Sequence, residues 1–548
     1  MAKRFVLLIL ILALGLGTYF LFRIGEDAGE LAERTRLAPA RSRSGGSPVL
    51  SWSSDPGSTP SAPMVTSTNA PESSAEPTLP PDAIPGEQVL MFYDDAHLRA
   101  FLELADEEGL DIVGRIDALR AIRVRVRDEA ALRRALSRSP SPIARGPNLY
   151  VRRPDPPVPP EGVTYNAFGN TAAAWLGVAA DRSQWGQGIT VAVLDTTVVP
   201  ESTRGTVAVV DLLDEPTGAT PARHGTAVAS IITGGGKVPG VAPGADLLAV
   251  RVMGDDGVGN TFTLAQGVMD AVDRGARVIN MSLGSGGDAP VLGQAIAYAQ
   301  ERGAVIVAAA GNNGSDGVLY PARYAGVLAV GAVDADGRQM YFSNRGERLD
   351  LVAPGLGVTA AGIDGEAIAF SGTSAATPFV AGAVAGVWSE SPNMDGRDVA
   401  ELLVRYADDA GAPGRDTRYG AGVLNVGRVL ERNTPGLVDM VLARPHIEQH
   451  PVYDDELVLA LFGQNRGTKP LERVVLKANV DGAPVDLTFY DVGIGDIVRH
   501  DLRLTRAGVG ERTVAIEQEI SVVGDEDRSP HNNRMLSSLS VGLPTSDL

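Results

Sequence analysis

Four polar residues lie far apart along the chain but sit in comparable places, each at the edge of an apolar or small-residue run: Asp195, His224, Asn312 and Ser374. Asp195 follows Gly188-Ile-Thr-Val-Ala-Val-Leu194, and Asn312 follows Val307-Ala-Ala-Ala-Gly311. His224 opens His224-Gly-Thr-Ala-Val-Ala-Ser-Ile-Ile232, a helix start rich in small residues. Ser374 stands in the turn Gly372-Thr-Ser374, ahead of a helix with Pro378 in its first turns, where a missing N–H is tolerated. A serine there has its hydroxyl beside unpaired N–H groups and the positive end of the helix dipole. An oxyanion forming next to it would be stabilised. His224 is the one histidine between residues 98 and 445, in a chain that has six, and it reads as a base rather than as packing. Taken singly, each residue also has an ordinary reading: Asp195 and Asn312 as turn formers, His224 as a satisfied polar group, Ser374 as the N-cap of a buried helix.

Such residues can act together only if the chain between them carries them to one place. Between about Val163 and Glu431, strands alternate with helices. Gly188–Leu194, Leu247–Val252, Val278–Met281, Val305–Ala309 and Val327–Val330 are continuous apolar runs, as parallel strands buried on both faces require. Helices fit at Thr263–Arg274 and Pro290–Arg302. The pattern predicts a doubly wound, mostly parallel α/β domain over residues 163–432. Its ligands would bind beyond the carboxyl ends of the strands, where the polar residues fall.

The flanks differ in kind. Met1-Ala-Lys-Arg4 precedes an uninterrupted apolar run, Phe5 to Phe22, closed by Arg23. Residues 1–25 are therefore expected to be a membrane anchor that sends the remainder outward, with a removed secretory signal as the alternative. Residues 26–86, rich in Ser, Pro, Thr, Ala and Gly, are expected to be a disordered tether. Residues 87–153 read β-α-β-β-α-β, with helices over Asp95–Glu107 and Asp128–Arg138, the ferredoxin-like α+β arrangement. Arg123, Arg125 and Arg127 are expected on one solvated sheet face. Residues 154–162 form a Pro-rich linker open to cutting. Residues 436–548 show seven short strands without a helical period, which suggests an immunoglobulin-like β-sandwich.

The chain has no cysteine, so disulfides and thiolate chemistry are excluded, and its net charge of −19 argues against a nucleic-acid partner. No Asp-x-Asp-x-Asp-Gly calcium loop occurs. The irregular spacing of His446, His450, His500 and His531 makes them surface residues rather than metal ligands.

Val191-Ala-Val-Leu-Asp-Thr196, Arg223-His-Gly-Thr-Ala-Val-Ala229 and Gly372-Thr-Ser-Ala-Ala-Thr-Pro378 resemble the three catalytic motifs of the subtilisin-like serine proteases (peptidase S8), in that family's order. Gly240-Val-Ala-Pro-Gly244, Ile279-Asn-Met-Ser-Leu-Gly284, Ala310-Gly-Asn-Asn-Gly314, Leu351-Val-Ala-Pro-Gly355 and Gly420-Ala-Gly-Val-Leu-Asn425 support the resemblance. It implies a serine endopeptidase acting on polypeptide substrates. His224 would take the Ser374 proton and return it to the leaving amine, and Asp195 would orient the imidazole. Asn312 and the Ser374 backbone N–H would hold the oxyanion, with Thr373 in support. Substrate would lie as an added strand between Gly257-Val258-Gly259 and Ser282-Leu283-Gly284. Leu319 falls where the family often has a glycine at the pocket floor, so a shallow pocket for small side chains is expected.

Two departures stand out. Asp195-Thr196-Thr197 replaces the usual Asp-Thr-Gly or Asp-Ser-Gly, and Ala227 replaces a second histidine. Thr197 lacks the backbone freedom of glycine, so a different local turn is expected. The resemblance further implies that residues 87–153 are a pro-domain, an intramolecular inhibitor released by self-cleavage within Tyr150–Gly162. No cofactor is needed for the chemistry, although structural calcium is consistent with the family, at no assigned site. Gly463–Thr468, Val480–Gly482 and His531–Asn533 resemble the CARDB type of bacterial adhesion-like domain, which would position the protease or bind a protein partner. The rival reading is a catalytically idle relative that binds peptides or matures a partner.

Overall fold

The computed structural model describes residues 80–154, 163–178, 181–213, 223–453, 456–505 and 512–541. The expected anchor over residues 5–22, nearly all of the tether, and the linker beyond Pro154 lie outside these. Among the described residues no helix is long and apolar enough to cross a membrane.

The first folded stretch comprises β1 (Ala83–Met91), α1 (Asp95–Glu107), β2 (Asp111–Ile116), β3 (Ala121–Arg125), α2 (Glu129–Arg138) and β4 (Ala144–Arg152). Both helices start where an aspartate can accept an otherwise orphaned N–H: Asp94 from His97, Asp128 from Ala130. The sheet order is β2-β3-β1-β4, antiparallel throughout, as a ferredoxin-like α+β unit requires. Leu98, Phe101, Leu132 and Ala135 of the helices pack on Leu90, Phe92, Ile122 and Val124 of one sheet face. β1 begins at Ala83, ahead of residue 87.

The opposite face is not open to solvent. Val89, Met91, Ala121, Leu149 and Val151 join the core of the domain that follows. Arg123 shares that face and is therefore covered, contrary to expectation: its side chain is 18% exposed, faces Glu87, and its guanidinium lies 5.7 Å from the Phe262 ring centre. An arginine can be covered in this way because its stem is apolar and its charge meets both a carboxylate and a π face.

The central domain contains β5 (Thr190–Asp195), β6 (Val207–Asp211), α3 (Arg223–Thr233), β7 (Asp246–Arg251), β8 (Val258–Asn260), α4 (Thr261–Asp273), β9 (Val278–Met281), α5 (Pro290–Glu301), β10 (Val305–Ala309), β11 (Val327–Val333), β12 (Leu351–Pro354), β13 (Val358–Ala361), β14 (Ala367–Phe370), α6 (Thr373–Glu390), α7 (Gly396–Arg405) and α8 (Val426–Glu431). Seven strands form one parallel sheet in the order β12-β11-β10-β9-β5-β7-β6, the doubly wound α/β arrangement. The chain leaves β5 in one direction for β7 and β6 and returns to its other side at β9. The crevice beyond the carboxyl end of β5 is thus the topological switch point. α4 starts at Thr261 rather than Thr263 because Asn260 caps it, accepting from the Thr263 N–H. α6 is buried from Thr373 to Trp388 and packs closely because it carries Gly382 and Gly386. A Cβ at residue 386 would come within 2.4 Å of the Trp185 ring.

Among the described residues the last stretch holds eight strands, not seven: β15 (Met440–Leu442), β16 (His446–Gln449), β17 (Glu456–Asn465), β18 (Leu471–Val480), β19 (Ala483–Val492), β20 (Ile497–Thr505), β21 (Arg512–Val522) and β22 (Arg534–Val541). β16 escapes a hydrophobic pattern because His446, Glu448 and Gln449 leave only Ile447 to signal it. β15, β16 and β20 pair with β17, and β19-β18-β21-β22 form the second sheet. Leu459 and Leu461 of the first sheet share a core with Leu476, Ile516 and Ile520 of the second, which makes a β-sandwich. The sandwich is fastened to the central domain by Arg466–Asp408 (2.8 Å) and by a two-pronged Arg528–Glu431 pair at 2.7 and 3.0 Å. His446 and His500 are half-buried rather than on the surface, and burial holds both imidazoles below the usual histidine range.

Candidate active site

Asp195 ends β5 and is fully buried. Its Oδ1 accepts from the Thr196 N–H at 2.7 Å and meets His224 Nδ1 at 2.8 Å. The approach is possible because Gly225 follows the histidine: a Cβ there would lie 2.5 Å from the Thr196 carbonyl oxygen. With Nδ1 engaged, His224 Nε2 is the imidazole atom without a hydrogen-bond partner among the described residues. The ring is steadied edge-on by Phe370, with centroids 5.3 Å apart and planes at 76°.

Ser374 sits in the first turn of α6, 1% exposed. Its hydroxyl donates to the Ser282 carbonyl at 3.1 Å, while the Ser282 hydroxyl donates back to the Ser374 carbonyl at 3.0 Å. His224 and Ser374 line one cleft of about 230 Å³ with Arg153, Pro154, Ala227 and Phe370. Asn312 reaches the same place from the loop after β10. Its Oδ1 accepts from both the N–H and the hydroxyl of Thr373, at 2.9 and 2.8 Å, which turns its Nδ2 outward. That Nδ2 donates to the Pro154 carbonyl oxygen at 2.5 Å. Gly372 makes room at φ +119°, where a Cβ would sit 2.9 Å from the same Nδ2.

The other positions singled out in the sequence surround this point. Tyr150, Val151 and Arg152 pair antiparallel with Asn260, Gly259 and Val258, and the Arg153 N–H donates to the Gly257 carbonyl at 3.0 Å. On the other side, Arg152 and Gly284 exchange both backbone hydrogen bonds, at 2.8 and 2.9 Å. The chain's own residues 150–153 thus form the middle strand between Gly257–Gly259 and Ser282–Gly284. Leu283 is fully buried beneath. Leu319 fills the space beside Gly284 and Gly311, where a Cβ would meet its side chain at 2.8 and 2.9 Å.

Thr197 lies outside the left-handed region, so the turn after Asp195 does not need glycine here, and Ala227 lines the cleft without entering the Asp195–His224 contact. No cluster of three or more His, Asp or Glu side chains fit to hold a metal occurs among the described residues, so no calcium site is assigned.

Two contributors were not anticipated. Phe370 belongs to the β13–β14 hairpin, whose sign in the sequence is the alternation Ala367-Ile-Ala-Phe370. Asn148 is wholly buried: its Oδ1 accepts from the Thr261 hydroxyl and the Phe262 N–H, and its Nδ2 donates to Glu87. Nothing local marks it.

A doubly wound parallel sheet with an aspartate–histidine pair and a helix-start serine at its switch point defines a class of hydrolase, and comparison with known proteins gives the family. Residues 186–422 match the subtilase family model, peptidase S8. Subtilisin BL of Lederbergia lenta is 39% identical over 253 residues, 45% of this chain and 92% of that protein. A thermostable alkaline protease of Halalkalibacterium halodurans is 37% identical over 46% of this chain and 70% of its own length. The crystal structure of fervidolysin from Fervidobacterium pennivorans, a keratinolytic enzyme related to subtilisin, aligns with a TM-score of 0.57 at 21% identity, over 84% of this chain and 76% of that one. The chain belongs to the subtilase family. It is a subtilisin-like serine protease, a hydrolase of peptide bonds.

Proposed function

We propose that the protein is an endopeptidase made as a precursor, and that its first cut is at its own Pro154–Asp155 bond. Asp195, His224 and Ser374 form the triad. His224 Nε2 takes the proton from Ser374 Oγ as that oxygen bonds to the carbonyl carbon. The same proton passes to the Asp155 nitrogen as the amide C–N bond breaks, and water then releases the acyl group from Ser374. Asp195 holds the imidazole in the tautomer that leaves Nε2 free and offsets its charge once protonated. Asn312 Nδ2 and the Ser374 N–H stabilise the tetrahedral oxyanion, with Thr373 fixing the amide.

The observation that carries this reading is the bond from Asn312 Nδ2 to the Pro154 carbonyl, made while residues 150–153 lie between both strand edges. The unit before the cut is then an inhibitory pro-domain that fills the cleft it will vacate. Later substrates bind in the same extended form, and Leu319 restricts the residue before the cut to small side chains. The apolar run at residues 5–22 suits export, as an anchor or as a removed signal, and the CARDB-like sandwich suits positioning of the protease or a protein partner.

The test compares the full-length chain with its Ser374→Ala form by intact-mass spectrometry. Wild type should yield a fragment beginning at Asp155 while Ser374→Ala stays whole at that bond. Equal processing of the two would remove self-cleavage, and failure of a fluorophosphonate to label Ser374 in the processed protein would remove the nucleophile.

A further inference from the structure

The residue presented for cutting is a proline, and this changes the hydrogen bonding of the nucleophile. Arg152 and Gly284 form a hydrogen-bonded pair of an antiparallel ladder. In such a ladder the next pair of this kind lies two residues on, joining residue 154 to residue 282. An N–H at position 154 would therefore occupy the Ser282 carbonyl. Proline has none. That carbonyl instead accepts the Ser374 hydroxyl at 3.1 Å, and His224 Nε2 has no partner among the described residues. The proton that must go to His224 is committed elsewhere, although the Pro154 carbonyl already sits on Asn312.

We propose that Pro154 is a built-in brake: by withholding the N–H that would engage Ser282, it lets the Ser282 carbonyl draw the Ser374 hydroxyl away from its base and so slows cutting of the Pro154–Asp155 bond. This rests on the precursor reading above. Pro154 is thus a specificity-determining residue for the chain's own processing, and a small residue carrying an N–H at this position is a better substrate.

The experiment follows the appearance of the fragment beginning at Asp155, by intact mass, after full-length chains are diluted from denaturant. Wild type, Pro154→Ala, Pro154→Thr and Ser374→Ala are compared. Threonine is close to proline in volume and restores the N–H, whereas alanine also relieves the pocket. Both substitutions should speed cutting about tenfold or more, the scale of one backbone hydrogen bond together with a restored base contact. Wild-type rates in both would overturn the brake. Acceleration by alanine alone would assign the effect to pocket size and overturn it equally. The same substitutions made in the Ser374→Ala chain should leave its circular dichroism and melting unchanged, which separates the brake from a folding effect. If wild type labels with a fluorophosphonate but neither variant is faster, only the brake falls. If no form is cut and none is labelled, the protease reading falls with it.

Discussion

Asn312 can serve an oxyanion only if its amide faces the cleft by its nitrogen, and nothing in a free asparagine decides that. Thr373 decides it by donating twice to Oδ1. Its hydroxyl in turn accepts from the Gly311 N–H at 3.3 Å, so the loop bearing Asn312 and the start of α6 are tied at two points. Thr373→Val keeps the shape and the N–H bond and deletes both hydroxyl bonds, together worth about 1.5 kcal/mol. Turnover should fall roughly tenfold with KM little changed, because the loss bears on the transition state. Thr373→Ser should restore the rate. Steady-state kinetics of the processed enzyme decide it, and a change confined to KM would contradict the positioning role.

The loop that follows α7 joins the central domain to the sandwich and holds a carboxyl that burial dominates. Asp409 is 5% exposed, its Oδ1 accepts from the Gly414 N–H, and its own N–H donates to Gln464 of β17. Burial pushes its pKa from 3.8 up to about 7, against the partial relief of the Gly414 bond and Arg466. A carboxyl whose folded pKa is raised takes up a proton on folding between the two values. Its contribution is fully present below about 4, is lost as pH rises toward about 7, and is level above that. Melting of the Ser374→Ala chain should therefore show a downward component from pH 4 to 7 that Asp409→Asn removes. An identical pH profile in the two chains would show that Asp409 ionises normally.

Across the whole molecule, the unit before Pro154 is held by more than its last strand. β4 continues into β8 of the central domain, Arg123 lies over Phe262, and Asn148 caps the start of α4 from within the other unit. Asn148 is the most exacting of these, since replacing it strands a buried hydroxyl and a helix N–H. On the proposed precursor reading, Asn148→Ala should weaken the grip of the cut pro-unit about tenfold. The lag before peptide hydrolysis begins in a freshly processed sample should shorten accordingly. An unchanged lag would place the hold elsewhere.

The motifs around Asp195, His224, Asn312 and Ser374 were legible in the linear chain because local neighbours make each position possible: Gly225 for the approach to Thr196, Gly372 for the turn before α6, apolar runs for the parallel strands. The class of each folded stretch was legible for the same reason, since burial on one face or two imposes its own period. What pairs with what across the units was not. That residues 150–153 run between two edges with Pro154 on Asn312, that Arg123 is covered, and that Phe370 braces His224 all depend on surfaces far apart in the chain being pressed together. Hydrogen-bond register between docked units is set by the packing of both at once, and no single stretch of sequence carries it.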